Sequence, residues 1–382
     1  MELILNTEKI KKALNAAQTV CQKKTILDTT QNVLFEIEND SLVMRASDTE
    51  VYLEISIDTV RVKKTSSNDK TILNAKLMYD IIKEIEEEEV QLIFSEKKCR
   101  IKTTYTDVEI NAIESSNFPE IQMRTENILR IKNKHIIEAI EYCAHLSTST
   151  LQKIGIGSIL YEIESEAFKT TATDGHCLAH IAFNENIDTA GKTFSFLLSK
   201  KASLDIKRVL ESIEGSEGEI FIGKSNEEIV FSSAQLTITT KTIREKFPEY
   251  KKIINQAYKN KMKCNKNTFI KITKRLSLFT DNKFIPGKLI FDKEKKTLHF
   301  SIENNTIGKN NEEMQIEIEE YSGNDIEFSA YPPYLLKAGS EMGNEEEEFE
   351  LKTNNKQHPI IFVSRGGRKR REYVVMPMRS EK

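Results

Sequence analysis

Apolar positions near the start of the chain fall at Ile10, Ala13, Leu14 and Ala17, with Lys9 and Lys12 off that face. This is the 3.6-residue period of a helix packed on one side, and Asn6 or Thr7 supplies its N-cap. The same period returns at Ile136, Ile137, Ile140 and Ala144, and again at Phe269, Ile270 and Ile272 among lysines. A second set of helices is predicted from Leu77, Met78, Ile81, Ile82 and Ile85, and from Leu204, Ile206, Val209, Leu210 and Ile213, with Tyr334–Met342 as a third copy. Between the helices the period drops to two, as in Val51–Ile57 and Gln315–Glu319, which is the pattern of strands with one wet face. Short connections favour antiparallel pairing over parallel crossovers, so the class is α+β.

These elements recur in order. Phe118-Pro119-Glu120-Ile121 returns as Phe247-Pro248-Glu249-Tyr250, and Val375-Met376-Pro377-Met378 closes the chain, with Pro119, Pro248 and Pro377 spaced 129 residues apart in both steps. Phe35-Glu36-Ile37-Glu38 leading to Ser47-Asp48-Thr49-Glu50 returns 126 residues later as Tyr161-Glu162-Ile163-Glu164 leading to Thr173-Asp174-Gly175-His176. Leu289-Ile290-Phe291-Asp292 leading to Glu303-Asn304-Asn305 is a weaker third copy. Solenoid units run about 20–50 residues, so a longer period implies domains with their own cores. Three similar domains are expected, over residues 1–124, 125–250 and 251–382.

The chain has 382 residues, too many for one core, and 38% apolar and 30% charged positions suit a folded protein with a large wet surface. Its apolar runs fall far short of the roughly 20 residues that span a bilayer, and Met1–Lys12 lacks an uninterrupted apolar stretch, so a cytoplasmic protein with no membrane partner is expected. Cys21, Cys99, Cys143, Cys177 and Cys264 form no Cys-x-x-Cys pair and read as free thiols. Net charge is only −3, yet the charges are segregated. Tyr250–Thr280 holds nine basic residues and no acid, whereas Glu84–Glu89, Glu312–Glu320 and Glu345–Glu350 are acidic. That suits a molecule holding a polyanion on one surface and repelling it elsewhere.

Catalytic motifs are not found. Ala190-Gly191-Lys192-Thr193 resembles the end of a phosphate loop, but the loop's first glycine falls on Asn186. Asp174, His176, Cys177 and His180 are the one cluster from which a metal-dependent hydrolase can be imagined, and a turn with satisfied polar groups accounts for them better. No catalytic residue, metal ligand or cofactor is assigned.

Three motifs carry a family resemblance: Thr171-Ala172-Thr173-Asp174-Gly175-His176-Cys177-Leu178-Ala179, Lys246-Phe247-Pro248-Glu249-Tyr250-Lys251-Lys252-Ile253, and the terminal Tyr373-Val374-Val375-Met376-Pro377-Met378-Arg379. Together with length and threefold repetition they resemble the bacterial sliding clamps, the β subunits of DNA polymerase III. The resemblance implies a DNA clamp fold: a head-to-tail homodimer closing a noncatalytic ring of six similar domains around duplex DNA, helices lining the hole and antiparallel sheets outside. It implies processivity for the replicative polymerase. It also implies a pocket between the second and third domains, where short linear motifs of the polymerase catalytic subunit, clamp loader, translesion polymerases, mismatch-repair proteins and ligase dock.

By resemblance the DNA-facing residues are Lys24, Lys76, Lys200 and Lys201, and the charge pattern adds Lys12, Lys271 and Lys274. A clamp must attract phosphates without reading bases, which flexible lysines on helix faces do. The partner-peptide pocket maps to Lys153, Ile156, Thr173, Gly175, His176, Cys177, Leu178, Pro248, Lys252, Ile253, Tyr334, Val374, Val375, Met376, Pro377, Met378 and Arg379. Unbranched, polarizable methionines suit a site shared by several partners. Ring closure is expected at Leu278 and Phe279 beside Glu312 and Glu313, with Lys97, Lys98, Arg100 and Lys102 as the electrostatic complement. The chain departs from the family pattern at Gly155, Cys177, Lys153 and Lys252, and Gly366-Gly367-Arg368-Lys369-Arg370-Arg371 is a basic hairpin tip of unassigned role. A repeat-built peptide-binding adaptor that does not encircle DNA is the alternative reading.

Overall fold

A computed structural model describes residues 2–21, 28–38, 41–59, 61–64, 70–95, 97–113, 118, 126–147, 155–164, 167–184, 187, 192–213, 215–225, 227–281, 284–322, 326–343 and 347–378. Lys24, Lys153, Arg379 and the expected boundary near residue 124 lie outside them. The chain forms two compact units, one of Met1–Ile140, Ile187–Lys192 and Lys201–Thr242, the other of Glu141–Asn186, Thr193–Lys200 and Ile243–Lys382.

The first unit contains two antiparallel sheets. One has five strands in the order Arg61–Lys64, Glu2–Asn6, Glu89–Phe94, Lys98–Lys102, Asp107–Asn111. The other has eight, in the order Glu126–Lys132, Glu219–Ser225, Glu228–Ser232, Leu236–Lys241, Val51–Asp58, Ser41–Ser47, Asn32–Glu38, Thr71–Asn74. Its midpoint joins two sequence repeats, Leu236 lying opposite Ile55 and Thr240 opposite Val51. The helix Thr7–Val20 packs on Ala75–Ile82. Their caps are asparagines, Asn6 accepting from the Lys9 N–H at 3.1 Å and Asn74 from the Leu77 N–H at 2.9 Å.

The second unit is built on one twelve-stranded antiparallel sheet. Its strands run Phe194–Leu198, Ile159–Glu164, Ala167–Thr173, Cys177–Phe183, Lys369–Val375, Ile360–Gly366, Glu348–Thr353, Asn260–Asn265, Gly308–Glu320, Thr297–Asn304, Gly287–Asp292, Ile326–Ala330. Two repeats are again stitched by strand pairing, here Cys177 opposite Val375 through Phe183 opposite Lys369. The helices Lys266–Ser277 and Pro332–Ser340 pack together, and the Phe269 ring is met edge-on by Phe300, Phe349 and Phe362. Asn265 caps the first of these helices as Asn6 does in the other unit.

The repeated Ser47–Glu50 landmark is a turn in which one side chain accepts two backbone N–H groups. Asp48 accepts from Glu50 at 3.0 Å and Val51 at 2.7 Å, and Asp174 accepts from His176 at 2.8 Å and Cys177 at 2.6 Å. Asn304 does the same for Thr306 at 2.8 Å and Ile307 at 3.3 Å, so the weakest sequence copy folds like the others. Each turn launches a strand: Val51–Asp58, Cys177–Phe183 or Gly308–Glu320. The first two pair across a repeat boundary. Gly308–Gln315 pairs with Thr297–Asn304 on one side, and among the described residues its other edge is open until Ile316 meets Cys264.

Some expectations need correction. Leu77 does not join the buried face of Ala75–Ile82 but is 47% exposed, because Ala75, Met78 and Ile82 fill that face, and Ile85 is buried beyond the helix end. Leu204 and Ile213 are half-buried in the helix Lys200–Ile213, whose buried face includes Asp205. The strand expected at Gln315–Glu319 is the end of the longer Gly308–Glu320.

The turns give a test. Gly175 sits at φ +89 with open space where a Cβ would stand, whereas Thr49 holds φ +80 as a β-branched residue. Gly175→Ala is expected to cost about 1–2 kcal/mol and Thr49→Gly to stabilise by about 0.5–1 kcal/mol. Urea unfolding midpoints check both, and a stabilised Gly175→Ala protein contradicts the assignment.

Candidate functional site

Three groups of side chains come forward. The first is basic. Lys12, Lys76, Lys271 and Lys274 stand exposed on Thr7–Val20, Ala75–Ile82 and Lys266–Ser277, opposite the buried faces, with no carboxylate partner among the described residues. Lys200 is half-buried at the start of its helix. Lys201 differs from the free cation expected of it: its ammonium contacts Asp48 and lies 2.8 Å from Asp205, whose side chain is only 4% exposed. It neutralises two buried acids in the first unit, a demand the sequence did not reveal because Asp205 occupies a helix position that reads as wet.

The second group gathers most of the expected pocket within the second unit. Strand pairing places Leu178 opposite Val374 and Cys177 opposite Val375. Leu178 and Val374 pack with Leu160, Leu197, Tyr250 and Ile361, and with the half-buried Phe247 and Ile253. The turn is held by Thr173, whose hydroxyl donates to the Cys177 carbonyl at 2.6 Å and accepts from the Gly175 N–H at 3.1 Å. Beyond Val375 the chain stays extended: the Met376 N–H donates to the His176 carbonyl and the Met378 N–H to the Ser329 carbonyl. Met376 is exposed, Pro377, Met378 and Ile156 are half-buried, and Pro248 and Lys252 are exposed, Lys252 paired with Glu249.

Sequence reasoning missed an aromatic row here. His176 stacks on Tyr334 with centroids 6.1 Å apart, Tyr334 meets Tyr331 edge-on at 5.1 Å, and Tyr331 meets the exposed Phe284 at 4.8 Å. Tyr331 and Phe284 sit in segments without repeat landmarks; Phe284 is exposed and Tyr331 half-buried. A cavity of about 580 Å³ adjoins Pro248 and Lys252, walled by Leu160, Phe196, Leu197, Ile243 and Phe247. Gly155 matters beside it: a Cβ there would stand 2.6 Å from the Lys246 carbonyl oxygen, so the chain at Lys246 already fills the space a side chain would take.

The residues imagined as metal ligands have other work. Asp174 caps its turn, His176 is exposed on the aromatic row, and His180 is buried, its Nδ1 2.9 Å from the Thr171 hydroxyl. Burial pushes the Cys177 thiol well above its ordinary range, with Asp174 adding to the shift. Tyr334 is raised to about 12 by burial and Asp174.

The third group lies at the open strand edge and its surroundings. Leu278 is 70% exposed and Phe279 half-buried just past Lys266–Ser277. Glu312 is held by the Arg275 guanidinium, which draws its carboxyl below the usual range, and Glu313 lies 3.2 Å from His299. In the first unit Lys97 and Lys102 are exposed, but Lys98 and Arg100 bind Glu109 and Asp107 across the hairpin at 2.5 Å. The edge is therefore less basic than its sequence run suggests, since the neighbouring strand supplies the acids. Leu77 and Ile307, at 47% and 46% exposure, were also missed. They follow the repeated cap and turn, which is the signal that could have found them.

Family models for the DNA polymerase III beta subunit match in series, the N-terminal domain over residues 1–122, the central domain over 130–249 and the C-terminal domain over 251–379. The beta sliding clamp of Pseudomonas aeruginosa is 21% identical over 99% of this chain and 100% of its own length, and that of Synechococcus elongatus is 20% identical over 99% of each. Among solved structures, the DNA polymerase III subunit beta of Pseudomonas aeruginosa superposes with a TM-score of 0.87 at 19% identity, covering 99% of this chain and 100% of that one. The beta subunit of Thermotoga maritima gives 0.86 at 18% identity and covers 100% of both chains.

A pH dependence follows from the buried imidazoles. Burial, reinforced by Lys169, Arg370 and Lys251, pushes His180 down to about 3, and burial with Lys337 and Lys200 does the same to His145. An unfolded histidine takes up its proton near pH 6.5, so below that pH the unfolded chain binds protons that the folded chain refuses. Stability is complete above about 6.5 and falls toward 3; His180 alone is expected to cost about 2 kcal/mol at pH 5. Urea midpoints at pH 7 and pH 5 measure this, and equal midpoints contradict it.

Proposed function

The chain belongs to the DNA polymerase III beta-subunit family of sliding clamps, and on that premise we propose that two copies close head to tail into a ring that encircles duplex DNA and confers processivity. The carrying observation is a joint made twice within one chain and left half-made at each end. After Asp48 and after Asp174 the launched strand pairs with the last strand of the next repeat, Leu236–Lys241 and Lys369–Val375 respectively. Among the described residues the strand launched after Asn304 has an open edge over Gly308–Gln315, and Asp107–Asn111, the last strand of the first repeat, is the edge of its sheet. A second copy supplies the missing partner at both. Leu278, Phe279 and Ile307 on one protomer then face Leu77 on the other, and Glu312, Glu313, Lys97, Lys98, Arg100 and Lys102 flank the seam.

DNA is held by threading. Lys12, Lys76, Lys271 and Lys274, without a carboxylate partner among the described residues, attract phosphates together with Lys200 and with Lys24 from outside those residues, and do so without fixing register, which permits sliding. Lys201 contributes less, since its charge is already engaged. The pocket around Leu178, Val374, Met376 and Met378 takes a short, partly apolar motif from the replicative polymerase, clamp loader and repair proteins. No step of chemistry is assigned to the chain, and the cytoplasm is its expected compartment; among the described residues no helix is long and apolar enough to cross a membrane.

Retention on DNA tests the central reading. Protein loaded on nicked circular plasmid should stay bound through gel filtration in 0.5 M salt and be lost once the plasmid is linearised. Replacing Lys12, Lys76, Lys271 and Lys274 together by Ser is expected to cut loading at least tenfold with the dimer intact. A strictly monomeric protein whose retention ignores linearisation supports the adaptor reading instead. At the pocket, Pro377→Ala with Met378→Ala is expected to weaken a leucine- and phenylalanine-containing pentapeptide by about tenfold in calorimetry, roughly the loss of 1–2 kcal/mol of apolar contact; unchanged affinity contradicts the assignment.

A further inference from the structure

The basic hairpin tip at Gly366–Arg371 belongs neither to the proposed ring seam nor to the pocket. It joins Ile360–Gly366 to Lys369–Val375 through a turn in which Gly367 takes φ +60, and the Arg368 carbonyl accepts from the Asn184 N–H at 2.8 Å, which fixes the tip on the neighbouring strand. Arg368 is exposed with no carboxylate partner among the described residues, and the nearest carboxylate to Arg365 is Glu350, at 3.9 Å, which Lys352 approaches more closely. Arg365 lies opposite Arg370, Arg370 opposite Ala182, and Ala182 opposite Lys169, so these cations share one row on one face of the sheet. Within it Glu372 holds Arg370 at 2.5 Å and Glu164 holds Lys169, which leaves Arg365 and Arg368 as the cations open to a ligand.

That row and the peptide pocket lie on the same strand. Arg370 and Val374 are four residues apart and therefore on the same face, about 13 Å from each other, and Arg368 to Met376 is about 26 Å along the strand. A groove lined by Arg365 and Lys263 also carries Glu319, Glu347, Glu348 and Glu350, an acidic excess that turns an acidic segment away from that side and toward Arg368 at the tip. Resting on the pocket reading above, we infer that the tip is an accessory site for acidic residues of partner proteins, placed roughly four to eight extended residues from the apolar motif in the pocket. Partners with acid at that spacing are preferred over partners with the motif alone. The gain is an effective-concentration effect, since the tethered acids meet the tip without a second encounter.

Calorimetry with three synthetic peptides tests this on the intact dimer. One is a pentapeptide with leucine and phenylalanine side chains; the others add a six-residue Gly-Ser spacer and four glutamates, at the N-terminus or the C-terminus. One extended peptide is expected to bind five- to twentyfold more tightly at 50 mM NaCl, with the gain mostly gone at 300 mM NaCl. Arg365→Glu with Arg368→Glu should abolish the gain and leave the short peptide's affinity unchanged. A gain below twofold for both extended peptides, or one that survives the charge reversal, overturns the inference while leaving the pocket intact. If no peptide binds, the pocket reading fails and takes this one with it. If the reversal lowers retention on circular DNA and leaves all three affinities unchanged, the tip belongs to DNA and the inference is wrong.

Discussion

A β-sheet edge presents a row of unpaired N–H and C=O groups, and a chain built of repeated sheets must cover every edge or offer it to another chain. Here the edges are covered by the repeats themselves. A side-chain-capped turn at Asp48 or Asp174 ends one strand and launches another into register with the following repeat, so a single continuous sheet crosses each boundary. Most of the rest follows from that device. It fixes where the helices lie on each sheet, and it brings Leu178 beside Val374 although they are distant in sequence.

The pocket is a by-product of the second joint. Pairing of Cys177–Phe183 with Lys369–Val375 sets the turn residues Gly175 and His176 next to Met376, Pro377 and Met378, and the backbone bonds from Met376 and Met378 carry the chain onward past the sheet. Apolar side chains from a turn, a strand and the segment around Phe247 then meet over one surface. The first joint has the same backbone but different contents: Lys201 lies between Asp48 and Asp205, and a charged lock occupies the place where the second joint has an aromatic contact between His176 and Tyr334. One scaffold thus yields a charge-paired seam in one place and a partly exposed apolar surface in the other.

Much of this was legible in the sequence because it depends on short-range chemistry. Asparagine caps, Asp or Asn turns and the two hydrophobic periods are local, and each survives in copies whose other residues have diverged, Asn304 being the clearest case. What sequence could not show depends on partners far away. Lys98 and Arg100 read as a basic edge until the hairpin brings Asp107 and Glu109 across from them. Lys201 read as a free cation until the fold buried Asp205 beneath it, and Leu77 read as core until Ala75, Met78 and Ile82 filled the face. The aromatic row through Phe284 and Tyr331 needed three separate segments to converge.

Amide hydrogen exchange over Asp107–Asn111 and Gly308–Gln315 is the most direct measure of whether the two open edges meet. Both segments are expected to gain protection together as protein concentration rises, while Leu236–Lys241 and Lys369–Val375, already paired within the chain, stay protected throughout. Exchange at the two edges that remains fast at every concentration would contradict ring closure.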